Sequence, residues 1–593
     1  MPCLWKRRSA YWLVLKLFDV SNKAPSRAFE FSEAILYIWR AHIERFYLAK
    51  QIDPELSNSL AETAELYRRG ARRYSVFKDI RLGPSDMYEA NEIPYPFWGA
   101  ESKTKSGRDP LAVQNSSVVI YNNMITGITN VTGRVRYNGF YCWILMLMKE
   151  HSDKTSIPLP EQIKLIRRGE LLLAYLMQHS FHEVTGVSGS IFTQKYFKEE
   201  DRIDLAWGAD YTNKSQHQIY WQYPNGIFGQ YYIGVLYHQL NLISVSDDKY
   251  KSYRVTPEGH QLAEAYRRSL TSEIEALFWD SICQGVIDKK QLAAMAGGMA
   301  LHLINTEEEL NEYQKIFCKP DHPDKNSRHR INSIRLILQY LASNNVRPKN
   351  FVLDFLKYNF ESVLIDWDYA TDEMFSWFLY ELNELSHAAY EAFHFAILYS
   401  ITEEPQPLDS VLRKLQEEYE TYATSCSNED SVYPLYDQIQ ECYKKGEYGA
   451  LLHKAARLLL TLQSTIEPHL QRLSDHAQQE GYDVYHPGFA LFLLDKLIND
   501  TRQVDWNFVE GCIYFAINDH LHSSYGKSTI GQGLVHNYMV EDELIWKLRN
   551  TKPVRTSPRL QNVLQYMEDL QWIEQSEDHY ILTDRGLNIM NNV

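Results

Sequence analysis

At 593 residues the chain is too long for one hydrophobic core, and its 45% apolar and 23% charged residues are those of an ordinary globular protein. Its formal net charge of −15 excludes a protein that simply coats nucleic acid, which needs a broad cationic surface to neutralise phosphate. The charge is uneven: residues 1–81 hold 15 Lys and Arg against 9 Asp and Glu, which leaves the remainder at −21, so any nucleic-acid contact is expected to be local.

The chain opens with Lys6-Arg7-Arg8 and a short apolar run that Lys16 interrupts, too short for a membrane span and a poor export signal. The seven cysteines are scattered without a Cys-x-x-Cys pair, which argues against a zinc ribbon or a disulfide framework and for a reducing cytoplasm. Residues 28–80 show helical periodicity through Phe31, Ala34, Ile35, Ile38 and Trp39. Near its end Arg68, Arg69, Arg72 and Arg73 sit beside Tyr67 and Tyr74, a pattern that holds nucleic acid by charge and stacking, or else pairs with Glu62 and Glu65. A turn-rich stretch follows from Gly83 to about Pro110. There Asp86, Glu101 and Lys103 make a weak match to the acid and Glu-x-Lys of a metal-dependent nuclease, on no convincing strand.

The segment Gly127–Tyr137 precedes an apolar stretch that predicts a buried helix, and Arg134 and Arg136 are expected to anchor acidic partners inside the fold. Residues 161–179, 273–400 and 408–480 are predicted helical. The pair His179 and His182, and the group His520, His522 and His536, lack the ligand number and spacing of a zinc site, so no metal or other cofactor is expected. Gly526-Lys527-Ser528 lacks the upstream glycine of a phosphate-binding loop, and no Rossmann fingerprint is present; the reading leans away from an enzyme.

One pattern occurs twice. Leu242-Ile243 is followed by a polar stretch and then Tyr253-Arg254-Val255-Thr256-Pro257-Glu258-Gly259. Trp572-Ile573 is followed likewise by Tyr580-Ile581-Leu582-Thr583-Asp584-Arg585-Gly586. Each reads as a helix end, a strand, a polar hairpin, an alternating second strand and a threonine-capped helix. This arrangement resembles the winged helix-turn-helix family, in which a wing strand ending in Leu-Thr-x-x-Gly is common. The resemblance covers about 60 residues at each site and implies a recognition helix ahead of each wing. In the first copy that helix, 231–240, has no Lys or Arg. In the second, Ser557 is expected as the N-cap, with Pro558 at the first helical position. Lys547, Arg549, Lys552, Arg555 and Arg559 around it form a candidate phosphate clamp.

The stretch from Pro110 to Trp143 is similar to runs in bacterial proteins of mobile defence islands, a resemblance that implies a setting and no mechanism. The expected fold is mainly α and multi-domain, helical bundles with two winged-helix (α+β) modules. The expected segments are 1–110, 111–272 ending in the first module, 273–505, and 506–593 as a second module able to fold alone. The function expected is binding DNA or a partner protein in an antiviral defence or mobile-element system, with an ATPase or helicase as partner, no membrane, and room for a homo-oligomer. A kleisin-like subunit of a chromosome-organising ATPase complex, which also joins wings to a helical middle, is the alternative; a divergent nuclease is the third.

Overall fold

Helices α1 (Asn115–Met124), α2 (Arg136–His151) and α3 (Leu159–Ser180) begin the described part of the chain. The computed structural model describes residues 109–152, 157–197, 201–211, 219–319, 322–424, 431–498, 503–528, 535–576 and 579–592. Arg68, Arg69, Arg72, Arg73, Asp86, Glu101 and Lys103 lie outside the described residues. From Arg136 to Met148 every residue of α2 is buried, as its lack of a polar face requires.

Next come α4 (Ser190–Tyr196), β1 (Arg202–Asp204) and α5 (Leu205–Ala209), whose N-cap Asp204 accepts the Trp207 N–H at 2.8 Å. Residues Phe228–Tyr232 and Gly234–Gln239 are then π-helical, a rare state in which each turn carries an extra residue. The strands β2 (Ile243–Val245) and β3 (Tyr253–Val255) form an antiparallel hairpin that leads into α6 (Pro257–Arg268). After α7 (Ser272–Gln284), β4 (Val286–Asp288) pairs antiparallel with β1. Helices α8 (Lys289–Met299), α9 (Glu307–Phe317), α10 (Lys325–Ser343) and α11 (Phe351–Ile365) follow, the first three with Asp288, Thr306 and Asp324 at their N-caps.

The second half is built on α12 (Asp372–Ser400), 29 residues long, about 43 Å at 1.5 Å per residue. Nearly all of it is buried, because other helices surround it. After β5 (Gln406–Pro407) these are α13 (Leu408–Ala423), α14 (Val432–Lys445), α15 (Tyr448–Ile466), α16 (Leu470–Gln479), α17 (Ala490–Ile498) and α18 (Trp506–Lys527). β6 (Tyr538–Glu541) and β7 (Leu544–Lys547) form a tight hairpin with Asp542 and Glu543 at φ 50° and 65°, as a two-residue turn between twisted strands requires. β5 adds to the free edge of β7. The chain ends in α19 (Leu560–Asp569), the hairpin of β8 (Ile573–Ser576) and β9 (His579–Leu582), and α20 (Asp584–Asn592).

The protein is thus mainly α, with small antiparallel sheets. The described residues lie in one compact unit, and many contacts join the segments on either side of residues 272 and 505. Among the described residues no helix is long and apolar enough to cross a membrane. Of the five described cysteines four are buried and Cys283 is exposed; all five are free thiols. The expected interior role of the two arginines is met: Arg134 pairs with Asp569 at 2.7 Å and Arg136 with Glu309 at 2.9 Å.

The duplicated pattern folds into duplicated geometry. Asn241 and Gln571 both adopt left-handed backbone, φ 51° and 59°, two residues past the helix end. The Thr256 N–H donates to the Leu242 carbonyl at 3.0 Å, and the Thr583 N–H to the Trp572 carbonyl at 3.1 Å. The two threonine hydroxyls donate back to the carbonyls of Asn241 and Gln571, at 2.8 and 2.6 Å. Each hydroxyl also accepts the N–H three residues on, from Gly259 and Gly586, both at 3.1 Å. The units differ in the preceding helix, π-helical in the first and α-helical in the second.

Candidate functional site

A cavity of about 1570 Å³ is an open polar groove, and both helix–hairpin–helix units reach it. The first contributes His238, Gln239 and Asn241 from its helix end and Gln261 from α6; the second contributes Arg559 and Asn588. The rest of the lining comes from α1, α9 and α10.

The groove floor is the segment around Gly127, and side chains from both halves grip its backbone. Gln239 accepts the Gly127 N–H at 2.7 Å. Gly127 has φ +87°, and an added Cβ would lie 2.6 Å from Leu240, so the tight approach needs glycine. Arg330 donates to the carbonyls of Thr126, Ile316 and Phe317 at 2.9, 2.8 and 3.3 Å. It is 1% exposed and has no carboxylate on it; burial pulls its guanidinium down to about 10. Arg559 donates to the Ile128 carbonyl at 3.1 Å and lies over the Tyr121 ring, 4.7 Å from its centre. Its burial also lowers the guanidinium. Asp569 takes Arg134 and, at 3.2 Å, the Val135 N–H; burial lifts its carboxyl to about 6 despite the arginine.

The chemistry of the walls is neutral and directional. Nine of the 26 lining residues are Asn or Gln, and four Lys and Arg are set against three Asp and Glu. Amides offer both donors and acceptors, which matches a polypeptide backbone or base edges. A surface meant for phosphate would carry a larger cationic excess.

The five basic residues picked out between Lys547 and Arg559 differ in their surroundings. Arg555 turns inward and ion-pairs with Glu381, with Glu384 at 3.9 Å. Arg559 is the N-cap residue of α19 at φ 60° and faces the groove floor. Lys547 pairs with Glu403 at 3.4 Å, and Arg549 is half-buried. Lys552 is exposed. The helix expected to start at Pro558 starts at Leu560, and Ser557 does not cap it. The reason is that 551–558 is held out of the helix: the Thr556 N–H goes to Glu384 at 2.8 Å, and Tyr380 and Tyr399 donate to the carbonyls of Thr556 and Thr551.

Of the histidines, His179, His182 and His522 are exposed, whereas His520 is buried. His520 Nε2 accepts the Asn537 N–H at 3.0 Å, and its Nδ1 lies 3.1 Å from the Pro110 carbonyl. The Asn537 amide continues to His394, which meets the Tyr538 hydroxyl. Among the described residues no three His, Cys, Asp or Glu are grouped to hold a metal ion. Lys527 stands at the C-terminal end of α18 and donates to the Asp109 carbonyl, the opposite end of a helix from one that cradles phosphate.

Sequence reasoning missed Arg330 and the amides of α1 and α9, which carry no local signal; the duplicated Thr-x-x-Gly was the available pointer to the groove. Compared with protein-family models, curated proteins and solved structures, the chain matches none.

Proposed function

We propose that this chain is a binding component, in which two winged-helix modules hold an extended segment of a partner protein in the groove they share. The observation that carries the reading is the convergence of both helix–hairpin–helix units on one amide-lined groove. The near balance of charge in the groove supports a polypeptide over a phosphate chain. The inward commitment of Arg555 and Arg559 removes two of the cations a DNA clamp would use. A bacterial defence or mobile-element assembly is the setting proposed for it, with the partner an ATPase or helicase.

The test is site-specific photo-crosslinking. A photoreactive residue replaces Gln261 or Asn311, both exposed and lining the groove, with Ile365 as an exposed position outside it. Cross-linking is run in cells of the natural host. The expected result is one discrete protease-sensitive adduct at 261 and 311 and none at 365. A nuclease-sensitive adduct would overturn the protein-segment reading in favour of DNA, and no adduct at either position would overturn the groove as a binding site.

A further inference from the structure

A second cavity, about 90 Å³, lies where α12 and α14 meet residues 553–556. Glu384, His387 and Glu391 line it from one face of α12, and they are 3%, 4% and 5% exposed. Tyr443 and Thr556 close it from the other elements.

The polar atoms here lack partners in a consistent way. Glu384 Oε1, His387 Nδ1, the Tyr443 hydroxyl and the Thr556 hydroxyl are buried without a hydrogen-bond partner in the protein. His387 Nε2 lies 2.6 Å from the Gly488 carbonyl. A carbonyl only accepts, so Nε2 carries a proton. His387 Nδ1 faces Glu384 Oε1 at 3.8 Å, beyond ordinary hydrogen-bond distance. The Glu391 carboxyl has neither a hydrogen bond nor an ion pair among the described residues.

Positive charge is short here. Arg555 is the one Lys or Arg lining the cavity, and it already serves both Glu381 and Glu384. Among the described residues no Lys or Arg pairs with Glu391.

We infer that this cavity binds a small primary amine in its ammonium form. Three N–H donors on one cationic nitrogen suit the carboxyl oxygens of Glu391 and Glu384 Oε1, and the positive charge is favoured among these carboxyls. The volume is several times the roughly 10–15 Å³ that one water needs, so an amine of a few heavy atoms fits. Burial, with Asp109 and Glu384 nearby, pushes the Glu391 carboxyl well above the usual range, so an arriving ammonium displaces its proton.

The experiment titrates the full chain with methylammonium chloride, and with potassium chloride and tetramethylammonium chloride at equal concentration, by calorimetry and thermal melting at pH 7. Methylammonium is expected to bind saturably, raise the melting temperature above both controls, and release protons when two buffers of different ionisation heat are compared. Glu391→Gln is expected to weaken binding at least about tenfold, as loss of a hydrogen bond to a charged group does, and to abolish the proton release. Equal effects of potassium or tetramethylammonium would overturn the inference, because neither has N–H donors. The absence of saturable binding would overturn it too, and these wild-type arms decide the matter if the variant fails to fold.

Discussion

Replacing Gly259 or Gly586 with alanine tests the duplicated geometry directly. Both glycines sit in the first turn of a helix behind the capping threonine, with ordinary helical backbone. Alanine should therefore help by about 1 kcal/mol on propensity alone. The packing forbids it: a Cβ at Gly259 would lie 1.9 Å from the Leu242 carbonyl oxygen, and one at Gly586 2.0 Å from that of Trp572. Ordinary contact begins at 3.4 Å, so each helix must move back by about 1.4 Å. Such a shift pulls apart the Thr N–H to carbonyl bonds of 3.0 and 3.1 Å and the hydroxyl cap together. Overpacking costs about 1–3 kcal/mol and a lost cap about 1, which offsets the propensity gain, so each substitution is expected to destabilise by about 1–3 kcal/mol net, equally in the two units. Gly297→Ala is the control, since that helical glycine is exposed with nothing within 4 Å, and it should stabilise by up to about 1 kcal/mol. Urea unfolding of the four proteins measures all three differences. If Gly586→Ala behaves like Gly297→Ala, the close approach, and the equivalence of the units with it, is refuted.

Acid should weaken the fold through His520, whose ring burial holds down to about 4 from an ordinary 6.5. A lowered folded-state value means that the unfolded chain binds the proton more tightly. The stabilisation is therefore present above about pH 6.5 and lost as pH falls toward 4. Between pH 7 and 5 the loss is about 2 kcal/mol, and comparison with His520→Gln in urea melts at the two pH values should show wild type losing that much more. Arg136→Met strands Glu309, whose side chain and its partner's are both 0% exposed, and should cost about 3–5 kcal/mol; adding Glu309→Leu should recover much of it. Arg555→Ala should lower stability by a similar amount, because Glu381 and Glu384 are 1% and 2% exposed at the ion pairs. Lys552→Ala, at an exposed position, should stay within about 0.5 kcal/mol of wild type.

The helical plan was legible because periodicity is a local property. The buried helix read around residues 140–145 is the apolar centre of α2, and the helix read at 161–179 is α3 with its ends moved by one or two residues. The two hairpins were legible for the same reason: alternation, a polar turn and Thr-x-x-Gly occupy one short continuous run, Leu242 to Gly259 and Trp572 to Gly586. Illegible were features whose cause is distant in sequence. The π-helical backbone of 228–239 depends partly on Glu170, a 2% exposed carboxylate that takes the N–H groups of Ile227 and Phe228 at 3.1 and 2.6 Å and so fixes where the helix begins. The start of α19 was misjudged because Ser557 and Pro558 satisfy every local rule for an N-terminus, while Glu384, 172 positions before Thr556, claims that residue's N–H and keeps the chain out of the helix.

The same reasoning explains why Arg555, read as part of a surface clamp, turns inward. Five basic residues between 547 and 559 look like a solvated patch, since the sequence of that stretch contains no carboxylate to absorb them. The carboxylates lie on α12, and Glu381 and Glu384 are a helical turn apart on a helix buried along most of its length. A buried carboxylate without a partner costs far more than an exposed arginine gains from water, so the demand of α12 decides where Arg555 goes. One arginine cannot answer every carboxyl on that helix, and Glu391, two turns on from Glu384, is the one left over. Charge bookkeeping along the sequence sees an acidic chain with a basic stretch; bookkeeping in space sees a cation deficit at one cavity and near balance at the amide-lined groove. Those two local balances bear on what each site can hold, and the net charge of −15 does not.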